Sequence, residues 1–149
     1  MAMIRVSKVF EFEMAHALWN YHGQCHNIHG HSYKLIVTVI GNPIEKALDP
    51  QDGMLIDFND LDTIVDEKII DVFDHTLVLS SETAQDLVSA LKSSFDKLVL
   101  LPFQPTCENL VSYFAENLLP DFDENIKLHS LRLYETATSF CEWFVGDND

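Results

Sequence analysis

The stretch Cys25-His26-Asn27-Ile28-His29-Gly30-His31 puts two histidines two residues apart, just ahead of the apolar run Leu35, Ile36, Val37 and Val39. In an extended chain, residues i and i+2 point to the same face, so His29 and His31 would present two imidazoles side by side. Gly30 between them has no side chain to crowd either ring or a ligand. Neutral imidazole and thiolate are preferred zinc ligands, and Cys25 stands four residues upstream of His29, so the pattern suggests a zinc site. Taken alone, H-x-H is read rather as two partly exposed histidines at the start of a strand. What decides between the two lies elsewhere in the chain.

Three further groups could do chemistry. From Val6 to His16 the even positions are Val6, Lys8, Phe10, Phe12, Met14 and His16, and the odd ones include Ser7, Glu11 and Glu13. This period-2 alternation predicts a strand with one buried face, and His16 has the parity of that face. A lone buried histidine is usually a satisfied core residue; with H-x-H nearby, His16 becomes a candidate third ligand. Glu135 shares parity with Leu131 and Leu133, which points a carboxylate toward an apolar face, costly without a partner. Asp74-His75 is an acid-base pair at an element end, and reads equally as a turn residue beside a histidine at a helix C-terminus. His22 and His26 read as loop histidines.

The elements that must position these groups follow from periodicity and punctuation. A second strand is expected over 31–40, with His31, Tyr33, Leu35, Val37 and Val39 on the face of His29. Gly41-Asn42-Pro43 and Asp49 to Gly53 punctuate the link that follows. Residues 57–73 read as a helix with Leu61, Ile64, Val65, Ile69, Val72 and Phe73 on one side and Asp57 as N-cap. Residues 81–97 read as a second helix carrying Leu87, Val88, Leu91 and Phe95, followed by apolar Leu98 to Leu101. After Pro102 and Pro105, Thr106 should N-cap a third helix with Leu110, Val111, Phe114 and Leu118, and Glu108 suits its first turn. Two strands close the chain, about 126–136 and 139–145.

The 149 residues fit one domain, 1–149, and 47% hydrophobic content argues for a packed globule. Nine basic against 24 acidic residues give a formal charge of −15, which argues against nucleic acid and anionic membrane as main partners. No apolar run approaches the ~20 residues of a membrane helix. The stretch Met1 to Phe10 lacks the apolar core of a signal peptide. Cys25, Cys107 and Cys141 are odd in number and widely spaced, so free thiols and a cytoplasmic location are expected.

Six landmarks occur in order along nearly the whole chain: Phe12-Glu13-Met14-Ala15-His16; Cys25-x-x-x-His29-Gly30-His31-x-Tyr33; Gly53-Met54-x-x-Asp57-Phe58; Asp74-His75; Pro105-Thr106-x-Glu108-Asn109; and Tyr134-Glu135-Thr136. Together they resemble the 6-pyruvoyl-tetrahydropterin synthase / 6-carboxy-tetrahydropterin synthase family, and they shift the reading of H-x-H toward a metal site. The C-x3-H-G-H spacing and the ending Glu135-Thr136-Ala137-Thr138-Ser139 are more similar to the bacterial 6-carboxy branch of the queuosine (deazapurine) pathway than to the animal 6-pyruvoyl branch. Two features depart from the resemblance, the first being the stretch from about Ser80 to Phe103, which is longer than the link expected there. Cys107 and His26 have no counterpart in the pattern.

The resemblance implies an α+β tunnelling fold (T-fold), a four-stranded antiparallel sheet with helices on one face. Several subunits would close it into a barrel, a homohexamer of two trimers with the active site at subunit interfaces. It implies Zn2+ on His16, His29 and His31. It implies Cys25, Asp74 and His75 as catalytic groups, and Glu135, with Thr106 and Glu108, as the pterin pocket. The implied reaction is that of a lyase, turning 7,8-dihydroneopterin triphosphate into 6-carboxy-5,6,7,8-tetrahydropterin, acetaldehyde and triphosphate. Formation of the 6-pyruvoyl product, or dihydroneopterin side-chain cleavage for folate, is the alternative. A structural zinc domain closed by Cys25 as fourth ligand is the non-enzymatic one. From strand position, Lys34 or Lys8 is the expected contact for the triphosphate.

Overall fold

The computed structural model describes residues 2–148. In chain order it holds β1 (Ile4–His16), β2 (His29–Gly41), α1 (Phe58–Val65), a π turn (Asp66–Ile70), α2 (Asp71–Phe73), β3 (Thr76–Ser80), α3 (Gln85–Ser94), β4 (Leu98–Leu101), α4 (Cys107–Leu118), β5 (Ile126–Thr136) and β6 (Ser139–Phe144). The strands form one sheet in the order β4-β3-β1-β2-β5-β6. β1, β2, β5 and β6 are the four antiparallel strands expected. The expected count of four is nonetheless corrected to six, because β3 joins β1 in parallel and β4 joins β3 in parallel. Thr76-Leu77-Val78-Leu79-Ser80 carries no period-2 signal because Thr76, Val78, Leu79 and Ser80 are all buried. Short parallel strands covered on both faces read as apolar runs, not as alternation.

One face of the sheet carries the core. Phe10, Phe12 and Met14 of β1, Tyr33, Leu35 and Val37 of β2, and Leu131 and Leu133 of β5 pack against Leu61, Ile69, Phe73, Leu110 and Phe114 of the helices. Phe12 stacks on Tyr33 at 5.3 Å and meets Phe114 edge-on at 6.2 Å. Asp57 caps α1 by accepting the Asn59 N–H at 2.8 Å, and Thr106 caps α4 by accepting the Asn109 N–H at 3.3 Å.

The expected helix over 57–73 is one helical body interrupted by the π turn. Its fully covered residues are Leu61, Val65, Ile69 and Phe73, each four apart. A strict four-residue step drifts around an α-helix of 3.6 residues per turn, and a wider π turn restores the stripe. Val72, expected on that stripe, is 40% exposed. The second expected helix is shorter, ending at Ser94, because residues 95–97 turn into β4. β3-α3-β4 is thus a small βαβ unit that joins the core through Val78 and Leu101 of its strands, while α3 buries only Val88.

Gly41 ends β2 where the chain passes closest to a neighbouring loop. A Cβ there would lie 2.3 Å from the Asn125 carbonyl oxygen and 2.7 Å from Leu55 Cδ1. Gly41→Ala is expected to lower stability by about 1–3 kcal/mol, read as a reduced denaturation midpoint. Gly146→Ala, where a Cβ meets nothing within 4 Å, is the control and should move the midpoint little.

Candidate active site

β1 and β2 pair so that His16 stands opposite His29, and Met14 opposite His31. Since side chains alternate along each strand, His16, His29 and His31 converge on one face at the end of the hairpin. One ligand atom from each lies within 4.8 Å of the others. The His16 and His29 Nε2 atoms are 3.1 Å apart. His16 donates Nδ1–H to the Pro105 carbonyl at 2.7 Å, and His29 donates Nδ1–H to the Asn27 carbonyl at 2.7 Å. These bonds assign the tautomers, leaving the Nε2 lone pairs of both rings turned toward each other. Two facing lone pairs repel unless a proton or a cation lies between them. His31 Nε2 is buried and has no hydrogen-bond partner among the described residues. Burial pushes the His16 and His31 imidazoles below their usual range, so both are neutral and able to ligate at pH 7. Three converging imidazoles, two of them oriented by backbone carbonyl acceptors and the third with an orphaned nitrogen, fit a metal ion with a position left open. Cys25 is not part of this cluster.

Glu135 lies beside the histidines. Its carboxylate is 3.8 Å from His31 Nε2 and 4.0 Å from His16 Nε2, and it accepts the Tyr33 hydroxyl at 3.4 Å. The β5–β6 register slips between Tyr134 and Thr136, so Glu135 is the extra residue of a bulge. Bulges re-aim side chains at sites of this kind. Burial, and next the Glu135 carboxylate, hold the Tyr33 phenol far above its usual range, so it acts only as a neutral donor. Tyr33 was legible in sequence as a member of the buried stripe, but nothing local said which carboxylate it would meet.

A cleft of ≈ 440 Å³ gathers His16, Cys25, Thr106, Glu108 and Glu135. Five expected site residues from four separate segments therefore meet in one place. Tyr21 in a loop, Cys107 at the start of α4, and Phe140 and Cys141 in β6 line the same cleft and were missed, since periodicity does not say which residues of separate elements meet. The loop bearing Cys25 is fastened to the α4 entry: Trp19 N–H donates to Gln104 Oε1 at 2.9 Å, and Gln104 Nε2 donates back to the Trp19 carbonyl. Leu18 N–H donates to the Cys25 carbonyl at 2.9 Å.

Asp74 and His75 do not line that cleft. They sit where α2 gives way to β3, and His75 lines a second, larger cleft of ≈ 810 Å³ with Glu13, Gly30, His31 and Lys97. His75 Nδ1 is 3.0 Å from Asp74 Oδ2, and Asp74 Oδ1 accepts the Glu13 N–H at 2.8 Å. That backbone bond, with the adjacent His75, holds the Asp74 carboxyl below its usual range. Neither Lys8 nor Lys34 lines either cleft. Lys8 pairs with Asp62 at 2.5 Å, eight residues along β1 from His16, roughly 27 Å at strand rise. Lys34 lies over the Tyr134 ring at 4.5 Å.

A three-histidine cluster that could hold a metal ion, beside a cleft lined by Glu135, is carried on an α+β sheet with helices, the architecture of a T-fold. The backbone is similar to that of Caenorhabditis elegans 6-pyruvoyl tetrahydropterin synthase (TM-score 0.66, 23% identity, 97% of this chain and 96% of that one) and of a Plasmodium vivax 6-pyruvoyltetrahydropterin synthase mutant (TM-score 0.71, 19% identity, 96% and 98%). The sequence model of the 6-pyruvoyl tetrahydropterin synthase family matches residues 5–144, and the chain belongs to that family. It is 36% identical over 143 residues to a 6-carboxy-5,6,7,8-tetrahydropterin synthase of Haemophilus influenzae, covering 95% of this chain and 99% of the relative. It is 33% identical over 144 residues to a putative enzyme of the same name from Pyrococcus horikoshii, covering 89% and 84%.

The chain is expected to take up about one divalent transition-metal ion per protomer, and alanine at His16, His29 or His31 to reduce that stoichiometry on elemental analysis. In metal-free protein the folded imidazoles of His16 and His31 resist protonation, whereas the unfolded chain titrates near 6.5. The unfolded state therefore binds more protons below that value, and stability should fall as pH drops through it. A shallower fall of the denaturation midpoint between pH 7 and 5 in His16→Ala than in the parent, with the remaining slope left to His31, is the check.

Proposed function

We propose that the protein is a zinc-dependent 6-carboxy-tetrahydropterin synthase. It would convert 7,8-dihydroneopterin triphosphate and water to 6-carboxy-5,6,7,8-tetrahydropterin, acetaldehyde and triphosphate, as a lyase of queuosine biosynthesis. The observation that carries the reading is the meeting of Cys25, Glu135 and the three histidines around one cleft, in a chain whose curated relatives bear that name.

Each residue has a role by its chemistry. Glu135 accepts hydrogen bonds from the amino and ring N–H groups of the pterin, which also gives a partly buried carboxylate its partners. Thr106 and Glu108 border the same ring. Cys25, as thiolate, removes a carbon-bound proton from the substrate side chain. His75, oriented by Asp74, delivers or accepts the second proton. Zinc held by His16, His29 and His31 would supply a Lewis acid for negative charge developing on side-chain oxygens. The three-histidine cluster without Cys25 favours this open site over a closed structural one.

His75 and Cys25 border different clefts, so the complete constellation is proposed to form between copies of the chain, in a homohexamer of two trimers. Open backbone groups along most of β1 and on β6 support edge-to-edge closure of such a ring. A cytoplasmic setting is proposed because all three cysteines are free thiols.

Incubation with dihydroneopterin triphosphate, followed by mass spectrometry of the pterin and an acetaldehyde assay, tests the reaction. A 6-pyruvoyl product would move the protein to the other branch of the family. Cys25→Ala should keep its metal and lose turnover; metal loss equal to that of His29→Ala would favour the structural site instead. Glu135→Gln should keep its metal and raise KM on the order of ten- to a hundredfold, the loss of a charge-assisted pair. Cys25→Ala and His75→Ala should regain part of the activity when co-refolded into mixed oligomers. Mixed oligomers no more active than either parent would mean that the site is built within one chain.

A further inference from the structure

The segment between Ser80 and Phe103 brings one cation to the element that carries His75. Lys97, on the link from α3 to β4, donates from Nζ to the carbonyl of Asp74 at 2.6 Å and to that of Asp71 at 3.0 Å. These carbonyls lie at the C-terminal end of the α1–α2 helical body, where intrahelical donors run out and the helix dipole is negative. The backbone of Lys97 is fixed too. Its carbonyl accepts the Leu77 N–H at 3.2 Å, beside the Leu77–Leu98 pairing that begins the β3–β4 ladder.

The turn thus held is unusual. Asp74 is extended, with ψ 129°, and His75 follows at φ 57°, in the left-handed region uncommon for residues other than glycine. Such a conformation persists only where surrounding bonds over-determine it. On one side Glu13 of β1 holds the turn, donating its N–H to Asp74 Oδ1 and accepting the His75 N–H at 2.6 Å. On the other side stands Lys97. Within one chain the His75 side chain is 75% exposed, so no packing wall of its own chain aims it; its direction there comes from its backbone and from Asp74 Oδ2.

We propose that Lys97 is a positioning residue for the reaction: by binding the Asp71 and Asp74 carbonyls it holds the left-handed turn that aims the His75 imidazole. The βαβ unit β3-α3-β4 is then a brace that delivers this ammonium. The inference rests on the role assigned to His75 above. A lysine that merely staples a helix end would affect stability alone, and the two differ in what they do to turnover.

The test uses Lys97→Met and Lys97→Arg, each in the intact enzyme and in His75→Ala. Lys97→Met should lower kcat roughly ten- to a hundredfold with KM near its parent value, the cost of a misaimed group. Metal content should be unchanged, and Lys97→Arg, which keeps the cation and its donors, should recover most of the rate. In the His75→Ala background, Lys97→Met should cost nothing further, because a residue acting through His75 has nothing left to act on. With selectively labelled histidine, the His75 Cα resonance should shift in Lys97→Met and stay in place in Lys97→Arg. An unchanged kcat in Lys97→Met, or an equal loss in both backgrounds, overturns the positioning role while leaving that of His75 intact. Full activity in His75→Ala removes the role of His75 itself, and this inference with it.

Discussion

The antiparallel register that sets His16 opposite His29 is the constraint on which the site depends. A slip of one residue would turn every side chain of one strand to the other face. Phe10, Phe12 and Met14 on β1, and Tyr33, Leu35, Val37 and Val39 on β2, are all buried on the helix side. Core burial therefore enforces the register, and the histidines inherit it as the last members of two apolar stripes. The convergence of the three imidazoles needs no separate device in the fold. It lies where hydrophobic alternation runs out and polar side chains begin.

The core and the site are also joined by hydrogen bonds that cross the sequence. His16 reaches the Pro105 carbonyl just ahead of α4, and Tyr33, packed on Phe12, offers its hydroxyl to Glu135. Glu135 is partly buried in a chain of net charge −15, a setting in which a carboxylate gains little from long-range fields. Its stabilisation is local, from the adjacent Tyr33 phenol. A pterin offering N–H donors, as proposed, would complete that local set.

The acid-base pair Asp74-His75 follows a different logic. It stands at the meeting of a helical body, a parallel strand and the edge of β1, and backbone bonds hold it on two sides. The π turn ahead of it keeps Leu61, Val65, Ile69 and Phe73 on the core, so the helix reaches Asp74 in a set rotation. An exposed imidazole can be aimed accurately only if its backbone is rigid, and here the rigidity comes from the scaffold rather than from side-chain packing.

Much of this was legible in the chain itself. The alternation through His16 and Tyr33, the caps Asp57 and Thr106, the apolar stripe of α4 and the inward parity of Glu135 all follow from periods of 2.0 and 3.6 residues, which act over short range. The landmarks from Phe12 to Thr136 also carried the family. Tertiary structure alone decided the rest. It made β3 and β4 parallel strands, because strands covered on both faces lose the alternation that would reveal them. It gathered Cys25, Thr106 and Glu135 around one cleft and set His75 on another, because partners up to about a hundred residues apart meet through packing and strand order, to which local periodicity is blind. It also chose the Pro105 and Asn27 carbonyls as acceptors for two imidazoles. Every residue but the last offers the same carbonyl, so only the folded path of the chain can say which one a histidine will find.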